Sequence, residues 1–262
     1  MRWTERQRAM LGAMGVTLWA PGARDGAGDS TPPPAAPPAR HGPARGSSTP
    51  TLPSAHAAAA GAAATTVASA GDIATLGWDA LRERVASCRA CRLCESRTQT
   101  VFGVGHPRAH CMIVGEAPGE HEDLQGEPFV GAAGRLLDRM LPAIGLTRAE
   151  APPAQQVFIA NTLKCRPPRN RNPEPDELAR CSAYLHRQIE LVQPRLLLAM
   201  GRFAVQTLLE SAEPIGRLRG RVHRWRGLPV VVTYHPAYLL RNPADKARAL
   251  ADLCLAAAQL SS

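Results

Sequence analysis

Four cysteines have the type and spacing that most directly indicate chemistry in this sequence. Cys88 and Cys91 form a Cys-x-x-Cys pair, whereas Cys165 and Cys181 flank a loop rich in Arg, Pro and Asn. Cysteines spaced in this way in a reducing compartment are typical metal ligands. Four thiolates suit either a tetrahedral zinc ion or an iron-sulfur cluster. The pattern therefore predicts an enzyme with a loop held by a metal centre.

The composition of the 262-residue chain narrows the classes of partner. The net charge of +9 comes mostly from arginine, which is typical of a protein that binds a polyanion but also of a GC-rich genome. Seven cysteines with no recognisable secretory signal argue against a disulfide framework and predict a cytoplasmic protein. The alanine-rich run at residues 55–63 is too short to span a bilayer. We expect no membrane partner and a monomer.

Much of the proline lies before residue 54, which divides the chain into three parts. Residues 1–19 fit a short helical peptide, residues 20–72 a disordered linker rich in Pro, Ala, Gly and Ser, and residues 73–262 the catalytic domain. The peptide is either a frayed terminus or a docking peptide for a replication or repair protein. Its Leu/Gly/Trp pattern loosely resembles the N-terminal peptide of the replicative clamp-loader psi subunit.

Apolar runs of strand length alternate with helical patterns after residue 73. The apolar runs are residues 111–115, 157–161, 196–201 and 230–235, and the helical patterns are residues 134–144, 175–192, 203–210 and 244–258. Continuously apolar strands that alternate with helices indicate a parallel sheet covered on both faces. We therefore predict an α/β fold with three layers, α/β/α, around a central four-stranded parallel sheet.

Polar side chains stand at the ends of three of these predicted strands. Glu116 follows the first strand, Asn161 ends the second and His235 ends the fourth. Ligands of open parallel sheets bind beyond the carboxyl ends of the strands. We therefore expect the three side chains to converge on one pocket.

Five separated blocks of sequence resemble the family 4 uracil-DNA glycosylases, the iron-sulfur branch of the uracil-DNA glycosylase superfamily. The blocks are GEAPGEHED at residues 115–123, GEPFVG at 126–131, NTLKCRPP at 161–168, HPAYLLR at 235–241, and the cysteine spacing. The resemblance implies a uracil-DNA glycosylase fold and a DNA repair enzyme that hydrolyses the N-glycosidic bond of uracil in DNA. It further implies uracil-containing DNA as the partner, and a 4Fe-4S cluster bound by Cys88, Cys91, Cys165 and Cys181.

The resemblance also implies roles for three side chains around the base. Phe129 corresponds to the residue that stacks on uracil, and His235 to the donor to uracil O2 as the base departs. Asn161 corresponds to the residue that reads the edge of the base. Its carboxamide can accept from N3–H and donate to O4, whereas cytosine has the opposite polarity at both atoms.

The group that handles the attacking water is less clearly marked in the sequence. Other branches of the superfamily have an aspartate where this chain has Ala117. Glu116 is the candidate for positioning water, with Glu122 and Asp123 as nearby alternatives. Glu122 is also a candidate for excluding the methyl group of thymine.

We expect the DNA contacts to come from loops. A metal centre would hold the loop at residues 166–173 as a phosphate clamp, and an exposed leucine would fill the gap left by the flipped nucleotide. The predicted contact residues are Arg166, Arg169, Arg171, Leu239, Leu240 and Arg241.

Other functions fit the sequence less well. A zinc nucleobase deaminase would need His-x-Glu and Pro-Cys-x-x-Cys elements, and a nucleotide-binding Rossmann enzyme would need Gly-x-Gly-x-x-Gly after the first strand; the sequence has neither. The alternative from a different class is a catalytically silent iron-sulfur protein that binds DNA as a scaffold. A strand-cleavage assay separates this scaffold from an enzyme.

Overall fold

One sheet of six strands runs through the centre of the computed structural model. The strands are β1 (Val104–Gly105), β2 (Cys111–Gly115), β3 (Phe158–Asn161), β4 (Leu196–Met200), β5 (Val222–Trp225) and β6 (Leu228–Thr233), in the order β1-β3-β2-β4-β6-β5. The four central strands are parallel, as predicted. β1 and β5 pair antiparallel at the two edges, so the sheet is mixed and wider than the four-stranded sheet expected.

The structure describes residues 4–17 and 70–261, which belong to one unit. The helices of these residues are α1 (Glu5–Ala13), α2 (Ala70–Ala74), α3 (Trp78–Ala86), α4 (Leu93–Ser96), α5 (Glu120–Gln125), α6 (Ala132–Met140), α7 (Pro175–Val192), α8 (Arg202–Leu209), α9 (Ile215–Leu218), α10 (Pro236–Arg241) and α11 (Lys246–Ser261). Residues 20–69 of the predicted linker lie outside the described residues, and residues 70–72 are helical in α2. None of the helices in the described ranges is long and apolar enough to cross a membrane.

Two apolar clusters cover the two faces of the sheet. Cys111 and Ile113 of β2 belong to the cluster that contains the buried side chains of α6 and α11, whereas Met112 and Val114 belong to the cluster of α7 and α8. Successive side chains of a strand point to opposite faces, so a continuously apolar strand needs a helical layer on each side. The predicted three-layer α/β/α arrangement is confirmed.

The carboxyl ends of the parallel strands lie at one edge of the sheet. Gly115, the last residue of β2, is in register with Asn161, the last residue of β3. Glu116 follows β2, and His235 follows β6 by two residues. The fold therefore brings the segments that carry these polar side chains to the same edge.

Helix α1 packs against the rest of the described chain. Leu11 is 0% exposed and Met14 is 1% exposed, and both belong to the apolar cluster that contains Leu250 and Leu253 of α11. The structure therefore differs from the predicted division of the chain after residue 19. Because these apolar side chains are already covered, they are not free to enter a partner's groove.

Candidate active site

A large cavity opens at the carboxyl ends of the parallel strands. Its space, including the part open to solvent, is about 1940 Å³. The sequence-predicted residues in its wall are Glu116, Ala117, Glu122, Phe129, Asn161, Arg171, His235 and Arg241. The structure thus brings together all of the predicted catalytic and base-binding residues.

Phe129 is held in an unusual backbone conformation beside the sheet. Its φ of 57° lies in the left-handed region, which is uncommon for a bulky residue. The side chain is 4% exposed, and its ring stacks on the imidazole of His235 with 5.2 Å between centroids and 26° between planes. Non-glycine residues keep such a conformation only where the surroundings enforce it, so the loop around Phe129 must be held firmly.

Glu122 holds that loop. Its Oε1 accepts from the backbone N–H groups of Val130 at 3.1 Å and Gly131 at 3.3 Å, and its Oε2 accepts from Gly119 at 3.1 Å. Carboxylates that accept several backbone N–H bonds are strongly oriented. The structure therefore gives Glu122 a loop-bracing contact, since both carboxylate oxygens are engaged by backbone groups.

Asn161 places an unpaired oxygen at the cavity. Its side chain is 2% exposed, and Oδ1 has no hydrogen-bond partner among the described residues. Its backbone oxygen accepts from Nζ of Lys164 at 2.7 Å, and the same Nζ donates to Oε1 of Gln188 at 2.6 Å. A buried acceptor without a partner is costly, so the carboxamide oxygen is suited to a ligand N–H.

His235 forms the N-cap of α10, where its Nδ1 accepts from the backbone N–H of Ala237 at 3.2 Å. Burial lowers the pKa of His235 to about 4, and the charge of Arg241 adds to this effect while Glu122 opposes it. The imidazole is therefore neutral at neutral pH. Because Nδ1 is an acceptor, the proton of the neutral ring lies on Nε2. The ring can donate one hydrogen bond without carrying charge.

Glu116 is a half-buried carboxyl group in the same wall. Burial raises its pKa, while the positive charge of Arg202 lowers it. Asp123, predicted as an alternative, is engaged elsewhere because its carboxylate accepts from the backbone N–H of Thr98 at 2.9 and 3.0 Å. Glu116 is thus the better placed of these two carboxyl groups to meet a water molecule in the cavity.

Sequence reasoning missed the contribution of the strand β4. Gly201 and Arg202 follow this strand directly and line the cavity. Gly201 has a φ of 91°, and a methyl group at this position would lie 3.2 Å from Cβ of His235. The signal in the sequence for this position is a glycine followed by a charged residue after an apolar strand. Tyr234 and Tyr238, which stack with 5.0 Å between centroids, also line the cavity and were not predicted.

Comparison with known proteins identifies the family. Residues 102–259 match the family described as the Uracil DNA glycosylase superfamily. The chain belongs to this superfamily.

Several relatives carry more specific names. The chain is 46% identical over 173 residues to a type-4 uracil-DNA glycosylase of Archaeoglobus fulgidus, a match that covers 63% of this chain and 83% of that protein. It is 45% identical over 174 residues to the type-4 uracil-DNA glycosylase of Sulfurisphaera tokodaii, covering 63% of this chain and 76% of that protein. It is 32% identical over 149 residues to a type-5 uracil-DNA glycosylase of Pyrobaculum aerophilum, covering 53% and 66%. The predicted resemblance is confirmed.

The two leucines that follow the histidine of this glycosylase-superfamily chain have different surroundings. Leu239 is 0% exposed and belongs to the apolar core, whereas Leu240 is 44% exposed. The prediction that Leu239 contacts DNA is therefore wrong, because its side chain is packed inside the protein. Leu240 is the leucine of this pair whose side chain is exposed to solvent.

The three arginines of the predicted phosphate clamp are not equivalent. Arg171 donates from both Nη atoms to the carboxylate of Glu177, at 2.9 and 2.6 Å, and that carboxylate is 4% exposed. Arg166 donates from Nε to Oδ1 of Asn170 at 2.8 Å, and Arg169 is exposed. A guanidinium paired in this bidentate way is already satisfied, so the structure does not present Arg171 as a free phosphate ligand.

A second cavity contains the predicted metal-binding cysteines. Cys88, Cys91, Cys165 and Cys181 all line a space of about 370 Å³ that is partly open to solvent, and Cys94 lines it too. The first two lie between α3 and α4, the third follows β3 and the fourth is in α7. Among the described residues, no group of three or more His, Cys, Asp or Glu side chains has the arrangement of a metal-ion site.

Hydrogen-bond donors and burial both act on these thiols. Nη1 of Arg97 donates to Sγ of Cys165 at 2.9 Å, and the backbone N–H of Lys164 donates to Sγ of Cys181 at 3.3 Å. Burial raises the pKa of Cys165 to about 11 and that of Cys181 to about 12. The two donors favour negative charge on the sulfur atoms, whereas burial disfavours the thiolate form that a metal centre would need.

Proposed function

We propose that this chain is a DNA repair glycosylase that releases uracil from DNA and leaves an abasic site. The observation that carries the proposal is the buried, unpaired Oδ1 of Asn161 in the same cavity as the ring of Phe129 and the neutral imidazole of His235. Asn161 can recognise the edge of a base by hydrogen bonding, Phe129 can stack on its ring, and His235 can donate a hydrogen bond to it. Membership of the superfamily and the names of the relatives support the same conclusion.

Base recognition in this proposal requires the nucleotide to leave the helix, because the glycosidic bond is not accessible within the base stack. The carboxamide of Asn161 accepts from N3–H of uracil and donates to O4. Cytosine would leave both pairs mismatched, at a cost of about 1 to 3 kcal/mol for each unpaired group. Phe129 provides the face on which the pyrimidine ring stacks.

Bond cleavage breaks the link between C1′ of the sugar and N1 of uracil, and the bonding electrons leave with the base. The Nε2–H of His235 donates to O2, where negative charge develops. A donor already in place at such a point stabilises the transition state more than the ground state. Water then adds to C1′, and the proton that it loses balances the charge of the departing base.

Glu116 is the side chain that we assign to this water. Its carboxylate can orient water toward C1′ and stabilise a positively charged sugar. The raised pKa of Glu116 also favours acceptance of the proton from the water. Substitution by Gln, which keeps the size of the side chain, tests whether the charge is required.

We further propose that a 4Fe-4S cluster is bound by Cys88, Cys91, Cys165 and Cys181. The fit rests on four thiols from three separate parts of the chain that line one cavity. When bound, the cluster supplies a structural cross-link and takes no part in bond cleavage. The four cysteines would then join the start of the 166–173 loop to α7 and to the segment between α3 and α4. Metal analysis distinguishes this cluster from zinc.

The test combines composition and activity in one preparation of the full chain. Protein purified without oxygen is analysed for iron, zinc and sulfide, and is then incubated with a uracil-containing oligonucleotide, followed by alkali. We expect about four irons and four sulfides per chain and strand cleavage at uracil alone. In Asn161→Ala and His235→Ala, excision falls while the absorbance near 400 nm remains. A cluster-loaded wild-type protein that binds DNA but leaves uracil in place would favour the scaffold alternative.

A further inference from the structure

The N-terminal segment, defined as residues 4–16, fills part of the apolar core next to α11. Leu11 and Met14 are its two fully buried side chains, and they share a cluster with Leu137 of α6 and Leu250 of α11. Burial of a large aliphatic side chain removes apolar surface from water and so favours the packed position. Two such side chains are enough to hold a short helix that is marginal in isolation.

A buried charge fixes the end of this segment. Lys246 is 7% exposed, and its Nζ donates to the backbone oxygen of Met14, the C-cap residue of α1, at 2.5 Å. A cation is favourable at the C-terminus of a helix and unfavourable at the N-terminus. Lys246 is the first residue of α11, so its charge opposes the dipole of its own helix and favours that of α1.

The same residue is linked, through its neighbour in the chain, to the wall of the cavity at the carboxyl ends of the strands. Lys246 directly follows Asp245, whose Oδ2 accepts from the hydroxyl of Tyr238 at 2.8 Å. Tyr238 lies on α10, lines the cavity, and stacks on Tyr234. Helix α10 also carries the exposed Leu240. A continuous set of contacts therefore runs from the N-terminal segment to the helix that carries the exposed Leu240.

We propose that the N-terminal segment is an intramolecular brace for α10, and that excision from duplex DNA depends on it. An apolar side chain that fills a gap in a duplex acts against the cost of unstacking the bases, so the helix that carries it must resist displacement. Excision from single-stranded DNA depends less on the rigidity of this helix, since no duplex has to be opened. The occupant of this face of α11 is thus the segment of residues 4–16 of the same chain. The catalytic readout of this inference rests on the proposed function.

The experiment compares full-length Leu11→Asp and Lys246→Met with the wild type. We expect faster amide hydrogen exchange in residues 236–246 of both variants. We also expect the ratio of the duplex excision rate to the single-strand excision rate to fall about tenfold. The corresponding free energy is smaller than the cost of unstacking one base step. Lys246→Arg keeps a donor and restores most of the ratio.

The matched control is Ile73→Asp, which places the same charge in the apolar cluster on the other face of the sheet. An equal fall of the ratio in this control, or an unchanged ratio and unchanged exchange in both test variants, overturns the brace. If Leu11→Asp does not fold, the comparison of Lys246→Met with the wild type tests the proposed brace. Exchange is measured without DNA, so it reports on the brace even if the wild type fails to release uracil, which would refute the proposed function instead.

Discussion

Gly115 lies so close to Phe129 that a methyl group at position 115 would be 2.7 Å from two carbons of the phenyl ring. The carboxamide oxygen of Asn161 borders the same position. The side chains that we assign to the face and the edge of uracil therefore meet at a residue without a side chain. The shape of the candidate active-site cavity depends on this glycine at the end of β2.

Substitution of this glycine is the first prediction. In Gly115→Ala the methyl group must displace Phe129 or Asn161, so we expect uracil excision to fall by at least about tenfold, the effect of a misplacement that costs about 1.4 kcal/mol. Single-turnover kinetics measure the fall. The matched control is Gly77→Ala, where a methyl group meets nothing within 4 Å. Full activity in Gly115→Ala would show that the ring and the amide move aside freely.

The second prediction concerns the protonation of His235. Because its pKa is lowered to about 4, the native ring stays neutral between about pH 4 and 6.5, whereas the unfolded ring takes up a proton near pH 6.5. The unfolded state then binds more protons, so this residue lowers stability as the pH falls through that window. On acidification through this window, we expect the Tm of the wild type to fall more than the Tm of His235→Asn.

The rate of uracil excision tests the protonation of His235 in a second way. Loss of a pre-placed donor to developing charge costs about 10²- to 10³-fold in rate, which is the fall expected for His235→Asn in single-turnover excision. The wild-type rate should show no histidine titration near pH 6.5. A sharp rise or fall of the wild-type rate at that pH that disappears in His235→Asn would contradict the neutral donor.

The third prediction separates the two leucines of α10. Leu240→Ala removes an exposed side chain, so Tm stays within about 2 °C, as is usual for surface substitutions, while duplex excision falls. Leu239→Ala leaves a cavity in the core and costs about 2 to 5 kcal/mol of unfolding free energy. Thermal unfolding and excision on duplex and single-stranded oligonucleotides distinguish them. An unchanged duplex rate in Leu240→Ala would remove this leucine from the DNA contacts.

The fourth prediction uses the fifth cysteine of the second cavity as an internal control. Cys181→Ala removes a proposed ligand, so iron and sulfide per chain should fall and the protein should unfold at a lower temperature. Cys94→Ala should keep both contents at the wild-type level, although Cys94 lines the same cavity. Loss of iron in Cys94→Ala together with retention in Cys181→Ala would reassign the ligand set.

Strand positions were predictable because continuous apolar runs bounded by polar residues are local patterns. The run at residues 111–115 coincides with β2, and the helix at residues 175–192 coincides with α7. Strand β1 has two residues and offers no such pattern. Short edge strands owe their pairing to the neighbouring strand, and their own sequences do not reveal it.

The site was predictable where chemistry is tied to a strand end, and unpredictable where it depends on a distant partner. Asn161 and His235 were found because they close apolar runs. The carboxylate of Glu177 that satisfies Arg171 belongs to a separate helix, so the loop sequence alone suggested a free arginine. The burial of Leu239 likewise depends on how α10 is rotated about its axis relative to the core. Two adjacent leucines in a sequence do not reveal that rotation.

The contact between α1 and α11 places the beginning and the end of the described chain side by side. Leu11 packs in the same cluster as Leu253 and Leu260, close to the last described residue. Nζ of Lys246 and the backbone oxygen of Met14, which form one of these contacts, stand 232 positions apart in the sequence. Because the entropy lost on closing a loop grows with the number of residues that it encloses, this contact costs more chain entropy to form than a local one.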